Sequence, residues 1–270
     1  MHLFPPLPSI IAHIMTAPDA LFDLSGHTAL VTGASRGIGE AIAHLLAARG
    51  AHVVCTSRKV EACEAVAAAI REAGGSAEAH ALHVGDPAAI EAVFAALDAA
   101  GRTPRILVNN AAANPYFGPM IDMDLGSYEK TVEVNLRGYF WCTVQAARRM
   151  KDAGGGSIVN IASVNAMRPA HGQGIYSMTK AGIVNMTEGF AKELAGHGVR
   201  VNAVLPGLTE TKFASAITGN PKLMAMMAQL IPMGRSAQPD EIAPAVLYLA
   251  SPASSYVTGT CLTVDGGYLA

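Results

Sequence analysis

Short apolar segments rich in β-branched residues alternate along the chain with longer segments in which apolar residues recur at helical spacing. The apolar segments predict seven strands, at residues 28–32, 51–56, 77–84, 105–109, 157–162, 199–205 and 260–264. The segments between them predict helices at residues 40–49, 59–73, 87–100, 127–152, 176–197 and 239–250, with shorter helices in the Met-rich segment 212–234. Because no repeat or low-complexity linker interrupts this alternation, the pattern predicts one α/β domain at residues 25–270, with a doubly wound, mainly parallel seven-stranded sheet.

The first 24 residues do not share this alternation. Residues 1–14 contain three prolines, no lysine or arginine and only a short apolar patch, which fits neither a secretory signal nor a membrane span. We therefore expect residues 1–24 to be an N-terminal extension that is poorly ordered over residues 1–14. A truncated protein starting at Met15 is expected to fold and to stay active, and loss of either property would contradict this prediction.

The composition indicates a protein whose partner is a small molecule. The 270 residues are 51% hydrophobic, which is ample for a buried core, and 15% charged, with a formal net charge of −2. This balance gives no basic surface for nucleic acid or for an anionic membrane. The four cysteines show no CxxC spacing, so we expect reduced thiols in a cytoplasmic protein. No metal site is expected, because His80 and His83 lie three apart on a predicted strand and would point to opposite faces.

A glycine-rich turn joins the first predicted strand to the first predicted helix. Gly33 permits the tight turn, Gly37 lets the backbone approach a pyrophosphate, and Gly39 allows close packing of helix against strand. The other residues of the turn that would bind the phosphates at the helix N-terminus are Ser35, Arg36 and Ile38. An ordinary strand-to-helix turn could contain the same glycines, but the strand before them and the alanine-rich helix after them are the context of a Rossmann-type dinucleotide site.

The end of the second predicted strand indicates which dinucleotide binds. An acidic residue at this place pairs with the ribose 2′-hydroxyl group of NAD. This chain has Ser57, Arg58 and Lys59 there, with Arg36 in the glycine turn, and no carboxylate precedes Glu61. Arginine binds phosphate through paired charged hydrogen bonds, so the sequence favours NADP(H) over NAD(H). If these were only solvated turn residues, the missing acid would have no explanation.

A serine, a tyrosine and a lysine near the fifth predicted strand suggest catalysis. Ser163 follows the strand, Tyr176 opens the next helix thirteen residues later, and Lys180 lies one helical turn further. Residues four apart share a helix face, so the Lys180 ammonium group can lie beside the Tyr176 ring and favour the phenolate. A phenol has an ordinary pKa of ~10, and a lower pKa brings it into range for acid–base catalysis. Ser163 can donate a hydrogen bond to a substrate oxygen. The same spacing also occurs by chance on solvated helix faces.

Further segments are predicted to line a ligand cleft at the carboxyl ends of the strands. The residues after the fourth strand, Asn110, Ala111 and Ala112, are suited to letting a cofactor ribose lie close to the backbone. Pro206 and Gly207 end the sixth strand, at the edge where open α/β sheets bind ligands, and residues 114–119 predict a loop over the rim. Methionine is usually core filler, but four methionines could line an adaptable apolar pocket: Met224, Met226, Met227 and Met233.

Assembled in this order, the chain resembles the short-chain dehydrogenase/reductase family from about Leu24 to the C-terminus. The matching motifs have the family's order and approximate spacing: Thr32-Gly33-x-x-x-Gly37-x-Gly39, Asn109-Asn110-Ala111-Ala112, Asn135, Ser163, Tyr176, Lys180 and Pro206-Gly207. The resemblance implies that Tyr176 protonates a carbonyl oxygen that Ser163 polarises. It implies that Lys180 holds the nicotinamide ribose and lowers the pKa of Tyr176, and that Asn135 supports a water relay through Lys180.

The resemblance also implies contacts to the rest of the cofactor. Thr209 and Thr211 fall where family members contact the nicotinamide carboxamide group. Many members have an Asp-Val pair after the third strand, the acid meeting adenine, whereas this chain has His83 followed by Val84. Val84 is therefore a candidate cofactor contact, but recognition of adenine by an acid is not transferred to Asp86. The residues at 57–59, 83–85 and 110–118 look like the branch of NADP-dependent carbonyl and retinal reductases, and the family resemblance implies a homotetramer.

The sequence thus predicts an NADP(H)-dependent oxidoreductase of this family, which transfers a hydride between NADP(H) and a carbonyl compound or secondary alcohol. One alternative is reduction of a 3-oxoacyl thioester on an acyl carrier protein. A second alternative is NAD-dependent oxidation of a secondary alcohol. A carrier protein would require a basic patch, for which the candidates are Arg137, Arg148, Arg149 and Lys151. A dinucleotide-binding scaffold without turnover is disfavoured, because the catalytic set is intact.

Overall fold

Seven strands form one sheet in the computed structural model of the protein, which describes residues 18–270; the predictions made for residues 1–14 lie outside the described part of the chain. The strands are β1 Thr28–Thr32, β2 His52–Ser57, β3 Ser76–Ala81, β4 Ile106–Asn109, β5 Gly156–Ile161, β6 Val199–Pro206 and β7 Cys261–Val264. They lie in the order β3-β2-β1-β4-β5-β6-β7, and every neighbouring pair is parallel. The predicted doubly wound α/β fold is confirmed.

Helices connect the strands and cover both faces of the sheet. They are α1 Gly37–Ala48, α2 Val60–Glu72, α3 Pro87–Ala99, α4 Leu125–Val132, α5 Gly138–Asp152, α6 Gly174–Leu194, α7 Ser215–Thr218, α8 Pro221–Leu230 and α9 Pro239–Ala250. A π-helical segment, Glu133–Arg137, lies between α4 and α5, so the helix predicted at residues 127–152 is present with a π-helical turn inside it. Within residues 18–270, no helix has the length and apolar character needed to cross a membrane.

The central strands are buried on both faces of the sheet. Successive side chains of a strand point to opposite faces. In β1, Val31 packs on the layer that contains α1, α2 and α9, whereas Leu30 packs on the layer that contains α3, α5 and α6. All five residues of β1 are buried. This double burial is the reason that the central strands have continuous apolar sequences instead of alternating ones.

The strand order reverses beside β1. From β1 the chain moves outward to β2 and β3, and it then returns to the other side of β1 to form β4 and the remaining strands. The loops that follow β1 and β4 therefore leave the sheet in opposite directions and open a crevice between them. Because the predicted site residues follow the carboxyl ends of the strands, the topology brings them to one edge of the sheet.

Strand β3 is shorter than its sequence pattern predicts. It ends at Ala81, three residues before the predicted end, so the prediction was wrong at this boundary. The turn that follows is held by local hydrogen bonds: Nδ1 of His83 accepts from the Gly85 N–H group at 3.0 Å, and the Asp86 side chain caps α3. His83 therefore lies outside the strand, and the strand geometry that placed it opposite His80 does not apply.

The residues that precede β1 also pack on the sheet. Leu24, the last residue of the predicted extension, is fully buried in the apolar layer beside α1. Its N–H group donates to the carbonyl oxygen of Arg49 at 2.8 Å, which joins the segment to the end of α1. Packing against the sheet therefore begins no later than Leu24.

Candidate active site

A cleft of about 1170 Å³ opens at the carboxyl edge of the sheet. Its lining includes most of the residues that the sequence predicts for the site: Gly33, Ser35, Arg36, Gly37, Ile38, Gly39, Ser57, Arg58, Val84, Asn110, Ala111, Ala112, Ser163, Tyr176, Lys180, Pro206, Gly207, Thr209 and Thr211. Two predicted site residues, Lys59 and Asn135, do not line it. The fold thus gathers residues that follow six strands, together with two residues of α6, into a single cleft.

The glycine turn after β1 forms one wall of the cleft. Gly33 has a φ angle of 68°, in the left-handed region that favours glycine. A Cβ atom on Gly39 would overlap the carbonyl oxygen of Gly33, so α1 can lie this close to β1 only with glycine at that position. The N-cap residue Arg36 makes no side-chain hydrogen bond to the first turn of α1. Helix N–H groups without a side-chain cap are a binding site for pyrophosphate, so the residues present fit a dinucleotide.

The carboxyl end of β2 brings cations to the cleft and no acid. Arg36 and Arg58 are exposed residues of the cleft lining, and within residues 18–270 no carboxylate pairs with either guanidinium group. Ser57 also lines the cleft, and its hydroxyl group donates to the carbonyl oxygen of Lys59 at 2.9 Å. Lys59 is exposed at the start of α2 and outside the lining, so the predicted phosphate site is reduced to two arginines and a serine.

The turn after β3 holds a histidine and a lysine at the cleft. Nε2 of His83 lies 2.8 Å from Nζ of Lys130, and both residues line the cleft. Asp86 is not in the lining, because its carboxylate accepts from the Ala88 and Ala89 N–H groups at the start of α3. The position of Asp86 agrees with assigning it no contact to adenine. Val84 is the apolar residue of this turn that lines the cleft.

Asn110 holds two loops of the cleft together. Its side-chain amide donates to the carbonyl oxygen of Thr32 at 2.9 Å, and its backbone N–H group donates to the Thr32 hydroxyl oxygen at 2.9 Å. The Ala111 N–H group donates to the same oxygen at 3.1 Å. These bonds fix the loop after β4 beside the glycine turn, so Asn110 shapes the cleft as well as lining it.

The loop after β6 closes over the glycine turn. A Cβ atom on Gly37 would lie 3.1 Å from Cγ2 of Thr211, which places the two residues against each other. The Thr211 hydroxyl oxygen accepts from the Ala214 N–H group at 3.2 Å and caps the short helical turn that follows. The buried Thr209 donates to the carbonyl oxygen of Gly207 at 3.1 Å. Both threonines are therefore positioned by local backbone contacts.

Ser163, Tyr176 and Lys180 meet in the cleft beyond β5. Tyr176 lies in the first turn of α6 and is 8% exposed. Nζ of Lys180 lies 5.5 Å from the centroid of the Tyr176 ring and donates to the carbonyl oxygen of Ile161 at 2.7 Å. Ser163 lies two residues after the end of β5, and its hydroxyl oxygen accepts from the Asn165 N–H group at 3.1 Å. The spacing in the sequence therefore does place the tyrosine, the lysine and the serine together.

Burial controls the protonation of the tyrosine and the lysine. It raises the pKa of Tyr176 above the ordinary value, and a hydrogen bond from Ser163 opposes this shift without cancelling it. Burial of the phenol dominates the pKa of Tyr176 in this structure, and the lowering effect of Lys180 stays a prediction. Burial also lowers the pKa of Lys180 to about 7. Near neutral pH, Tyr176 holds its proton and Lys180 exchanges one.

Asn135 lies behind the cleft, in the π-helical segment. Its Oδ1 atom accepts from the Ala113 N–H group at 2.8 Å, and its Nδ2 atom donates to the Ala113 carbonyl oxygen at 2.9 Å and to the Thr179 hydroxyl oxygen at 3.1 Å. Thr179 in turn donates to the carbonyl oxygen of Tyr176 at 2.7 Å. The fully buried amide thus links the loop after β4 to the first turn of α6. The water relay implied by the resemblance stays a prediction.

Two aromatic residues of the site were missed by sequence reasoning. Tyr139 is buried, its hydroxyl group donates to the carbonyl oxygen of Ile161 at 3.1 Å, and its ring centroid lies 5.2 Å from Nζ of Lys180. The ring of Phe213 packs on the ring of Tyr176, with centroids 5.6 Å apart. The only sequence signal for Tyr139 is its position one helical turn after Asn135. Phe213 lies in a segment with no clear periodicity.

The Met-rich segment contributes to the cleft only in part. Met226 and Met227 line it, whereas Met224 and Met233 do not, so the predicted pocket of four methionines was half wrong. Met226 and Met227 lie on the face of α8 that is turned to the cleft, and Met224 lies off that face. The lining of this part of the cleft is completed by Ile217, Leu223 and Leu230.

Comparison with known proteins agrees with the site. A sequence model of a protein family, described as enoyl-(acyl carrier protein) reductase, matches residues 33–269. The chain belongs to the short-chain dehydrogenase/reductase family. The matched residues extend from the glycine turn to the end of the chain and contain every predicted site residue, so the resemblance drawn from the sequence motifs is confirmed.

Relatives in this family share the whole fold with the chain. Cis-4-hydroxycyclohexanecarboxylate dehydrogenase of Sinomonas cyclohexanicum is 38% identical over 242 residues, which are 90% of this chain and 96% of the relative. A 3-oxoacyl-[acyl-carrier-protein] reductase of Synechocystis is 39% identical over 247 residues, 90% of this chain and 97% of the relative. The crystal structure of a gluconate 5-dehydrogenase from Burkholderia cenocepacia, in complex with NADP and tartrate, has a TM-score of 0.91 and 32% identity, and covers 94% of this chain and 99% of that chain. The chain is an oxidoreductase of this dinucleotide-binding family, as the sequence predicts.

Proposed function

We propose that the protein is an NADPH-dependent reductase that converts a ketone or an aldehyde to the alcohol, with Tyr176 as the proton donor. The observation that carries the proposal is the meeting of Ser163, Tyr176 and Lys180 in a cleft whose other end presents two arginines and no acid. The nicotinamide, when bound, supplies the hydride. The side chains of the cleft supply the proton, hold the carbonyl oxygen and bind the dinucleotide.

Tyr176, Ser163 and Lys180 have different roles in the reaction at the carbonyl oxygen. Because burial raises its pKa, Tyr176 keeps its proton at neutral pH and can give it to the oxygen as negative charge develops there. The Ser163 hydroxyl group lies at the same end of the cleft and can donate a hydrogen bond to that oxygen, which stabilises the developing charge. A protonated Lys180, 5.5 Å from the Tyr176 ring, stabilises the phenolate that remains.

The dinucleotide would be held by the opposite end of the cleft. The uncapped N–H groups of α1 would bind the pyrophosphate. Arg36, Ser57 and Arg58 would bind a 2′-phosphate group, which supports a preference for NADPH over NADH. The nicotinamide would be bordered by Pro206, Gly207, Thr209 and Thr211, which is the position that the family resemblance implies for these residues.

Titration of the purified protein with NADPH and NADH, each followed by reduced-nicotinamide fluorescence, tests the cofactor. Addition of diketones, aromatic aldehydes, retinal and acetoacetyl thioesters to the complex then tests the reaction. Tighter binding of NADPH with turnover of ketones or aldehydes is the expected result. Tighter binding of NADH, or oxidation of a secondary alcohol with NAD only, would favour the NAD-dependent alcohol dehydrogenase and contradict the assigned 2′-phosphate site.

Reduction of a 3-oxoacyl thioester is the second candidate. The description of the family model and the Synechocystis relative favour it. Two arginines of the expected basic patch are, however, already paired: Arg137 lies 3.4 Å from Glu133, and Arg149 lies 2.7 Å from Asp98. The patch therefore offers less free charge to an acidic carrier protein than its sequence predicts. Turnover of the thioester alone in the substrate panel would select this candidate.

The assembly is proposed to be a cytoplasmic homotetramer. Large apolar side chains are exposed on three helices, with Leu125 75% exposed on α4, Phe140 45% exposed on α5 and Met178 43% exposed on α6. Strand β7 forms one edge of the sheet. Light scattering during size-exclusion chromatography is expected to give four times the chain mass, and a monomer would contradict the proposal.

A further inference from the structure

Beyond Tyr176 the cleft has one wall that is mainly apolar. The wall is formed by the segment after β6, where Lys212 is the charged residue of the lining and the large apolar side chains are Phe213, Ile217, Leu223, Met226, Met227 and Leu230. Phe213 is 49% exposed, Met226 61% and Leu230 57%, although all three are large apolar residues. Apolar side chains that remain exposed around a cleft mark a surface that binds an apolar partner.

Helix α8 does not bury its apolar face in the core of the protein. An amphipathic helix normally buries its apolar stripe against the core. No residue of α8 is fully buried, even though half of the helix is leucine or methionine. The stripe that contains Met226, Met227 and Leu230 faces the cleft instead of the core. The contact of Phe213 with the Tyr176 ring, 5.6 Å between centroids, continues this apolar surface to the proposed proton donor.

Part of the polar lining across from this wall is already hydrogen-bonded, whereas Asn114 and His171 also line the cleft and have no side-chain hydrogen bond to the described residues. Asn165 donates to the Oε1 atom of Gln173 at 3.1 Å. Arg168 donates to the carbonyl oxygen of Tyr268 at 3.1 Å, and its guanidinium carbon lies 5.4 Å from the centre of the Tyr268 ring. Among the described residues, no aspartate or glutamate lines the cleft. A substrate with many hydroxyl groups would lose its hydrogen bonds to water here and would find few replacements.

We propose that the substrate is a carbonyl compound with an extended apolar body, an alkyl or alicyclic ketone, whose body packs on α8 while its oxygen meets Tyr176 and Ser163. Neutral polyols and sugars are expected to be poorer substrates than apolar ketones. The inference rests on the proposed function, because it names the substrate class of the same cleft.

A homologous series of methyl ketones, from four to ten carbon atoms, measures the apolar contact directly. With whichever dinucleotide saturates the protein, kcat/KM is expected to rise roughly fourfold for each added methylene group until the wall is filled. Dihydroxyacetone and fructose are hydroxylated ketones for comparison, and they are expected to react at least about a hundredfold more slowly than the apolar ketone of equal length. A flat series, or faster reaction of the hydroxylated ketones, would overturn the inference.

Two methionines of α8 provide a matched pair of variants. Met224 and Met227 are both half-buried on the same helix, but only Met227 lines the cleft. Met227→Gln is expected to lower kcat/KM for the eight-carbon ketone by a factor of about 10 and to change it less than about twofold for the four-carbon ketone. Met224→Gln should leave both values unchanged. Equal effects of the two substitutions, or an equal loss for both ketones with Met227→Gln, would overturn the inference.

Binding of the dinucleotide separates this inference from the function on which it rests. Both variants are expected to bind the dinucleotide with the wild-type Kd, measured by fluorescence, which shows that they are folded. Turnover of hydroxylated ketones only would overturn the inference and leave the proposed reductase intact. Dinucleotide binding without turnover of any carbonyl compound would overturn the proposed function together with the inference.

Discussion

At the scale of the residue, the chemistry depends on where protons lie before the reaction begins. Burial makes Tyr176 a weaker acid than free tyrosine and Lys180 a stronger acid than free lysine. The tyrosine therefore enters the reaction protonated, and the lysine can be charged or neutral near pH 7. Both groups are in the state that reduction of a carbonyl requires, with a proton to give and a cation close by.

Substitution of Tyr176 by phenylalanine removes only the hydroxyl group. We expect Tyr176→Phe to lower kcat by a factor of about 10³, since general acid catalysis contributes about 10²–10⁴. The Kd for NADPH should remain near the wild-type value, because the ring still fills its place in α6. Turnover and fluorescence titration measure the two effects. Tyr128→Phe, at a tyrosine of α4 that is 38% exposed, is the control with wild-type kcat, and retained turnover in Tyr176→Phe contradicts its role.

The pKa of Lys180 predicts how stability depends on pH. Its value falls from the ordinary 10.5 in the unfolded chain to about 7 in the folded chain, so between these values the unfolded chain binds more protons. The contribution of Lys180 to the free energy of unfolding is therefore lowest below pH 7 and increases as the pH rises. Urea unfolding of the cofactor-free protein from pH 7 to pH 9.5, compared with Lys180→Met, isolates this contribution.

The expected result is that the free energy of unfolding of the wild type rises relative to that of Lys180→Met across this range. The comparison stops before pH 10, where tyrosines of the unfolded chain begin to ionise. Other titrating groups are common to the two proteins and cancel in the difference. A difference that stays constant or declines with pH would show that Lys180 is not held in the environment described here.

Arg58 is expected to distinguish the two dinucleotides. Arg58→Ala should raise the Kd of NADPH by a factor of roughly 10 to 100, because a charged hydrogen bond contributes about 1.5–3 kcal/mol. The Kd of NADH should not change, since it has no 2′-phosphate group. Lys59→Ala is the matched control, because Lys59 is the neighbouring cation but lies outside the cleft. Equal weakening of both dinucleotides by Arg58→Ala would contradict the assigned phosphate site.

Sequence spacing could predict which of these residues meet but not how they titrate. The interval of four between Tyr176 and Lys180 fixes their proximity through helix geometry alone. The direction of their pKa shifts depends on burial, and that burial comes from β5 and from Tyr139 on α5, which are distant in the sequence. Lys59 is exposed outside the cleft lining, and its predicted contact with the cofactor stays a prediction.

At the scale of the element, the π-helical segment connects the helix of Tyr176 to the sheet. Its Asn135 amide uses both hydrogen atoms and its oxygen on Ala113 and Thr179. Such π-helical segments occur frequently at functional sites. Asn135 could be seen in the sequence as a polar residue within an apolar helical segment, but its burial and its partners could not, because the π-helical turn that orients it leaves no periodic signal. The early end of β3 escaped prediction similarly, through a side-chain hydrogen bond of His83.

Substitution of Asn135 by leucine tests whether this link is structural. The expected result is a loss of about 2–4 kcal/mol in the free energy of unfolding, since the backbone groups of Ala113 are left buried without partners. A fall in kcat should accompany it, because the first turn of α6 loses its support. Asn185→Leu, at an exposed position of α6, is the control with unchanged stability. Full stability with lost turnover would instead assign Asn135 directly to the proton relay.

At the scale of the whole molecule, the reversal of strand order beside β1 determines where the cleft lies. The order of strands and helices in the sequence sufficed to predict this edge, and residues directly after a strand were placed correctly for that reason. Residues 212–230 follow no such rule, because they belong to neither layer of the sheet core. That segment forms the apolar wall, so the part of the molecule proposed to select the substrate is the part that its sequence predicts least.

We propose that a hydride passes in this cleft from bound NADPH to a carbonyl carbon while Tyr176 protonates the oxygen. Rapid mixing of the protein–NADPH complex with an eight-carbon methyl ketone, with reduced-nicotinamide absorbance and alcohol product followed together, tests it most directly. One NADPH is expected to be consumed for each alcohol formed by the wild type, and the rate of consumption is expected to be about 10³-fold lower in Tyr176→Phe. NADPH that binds but is not consumed, or equal rates in the two proteins, would contradict the account.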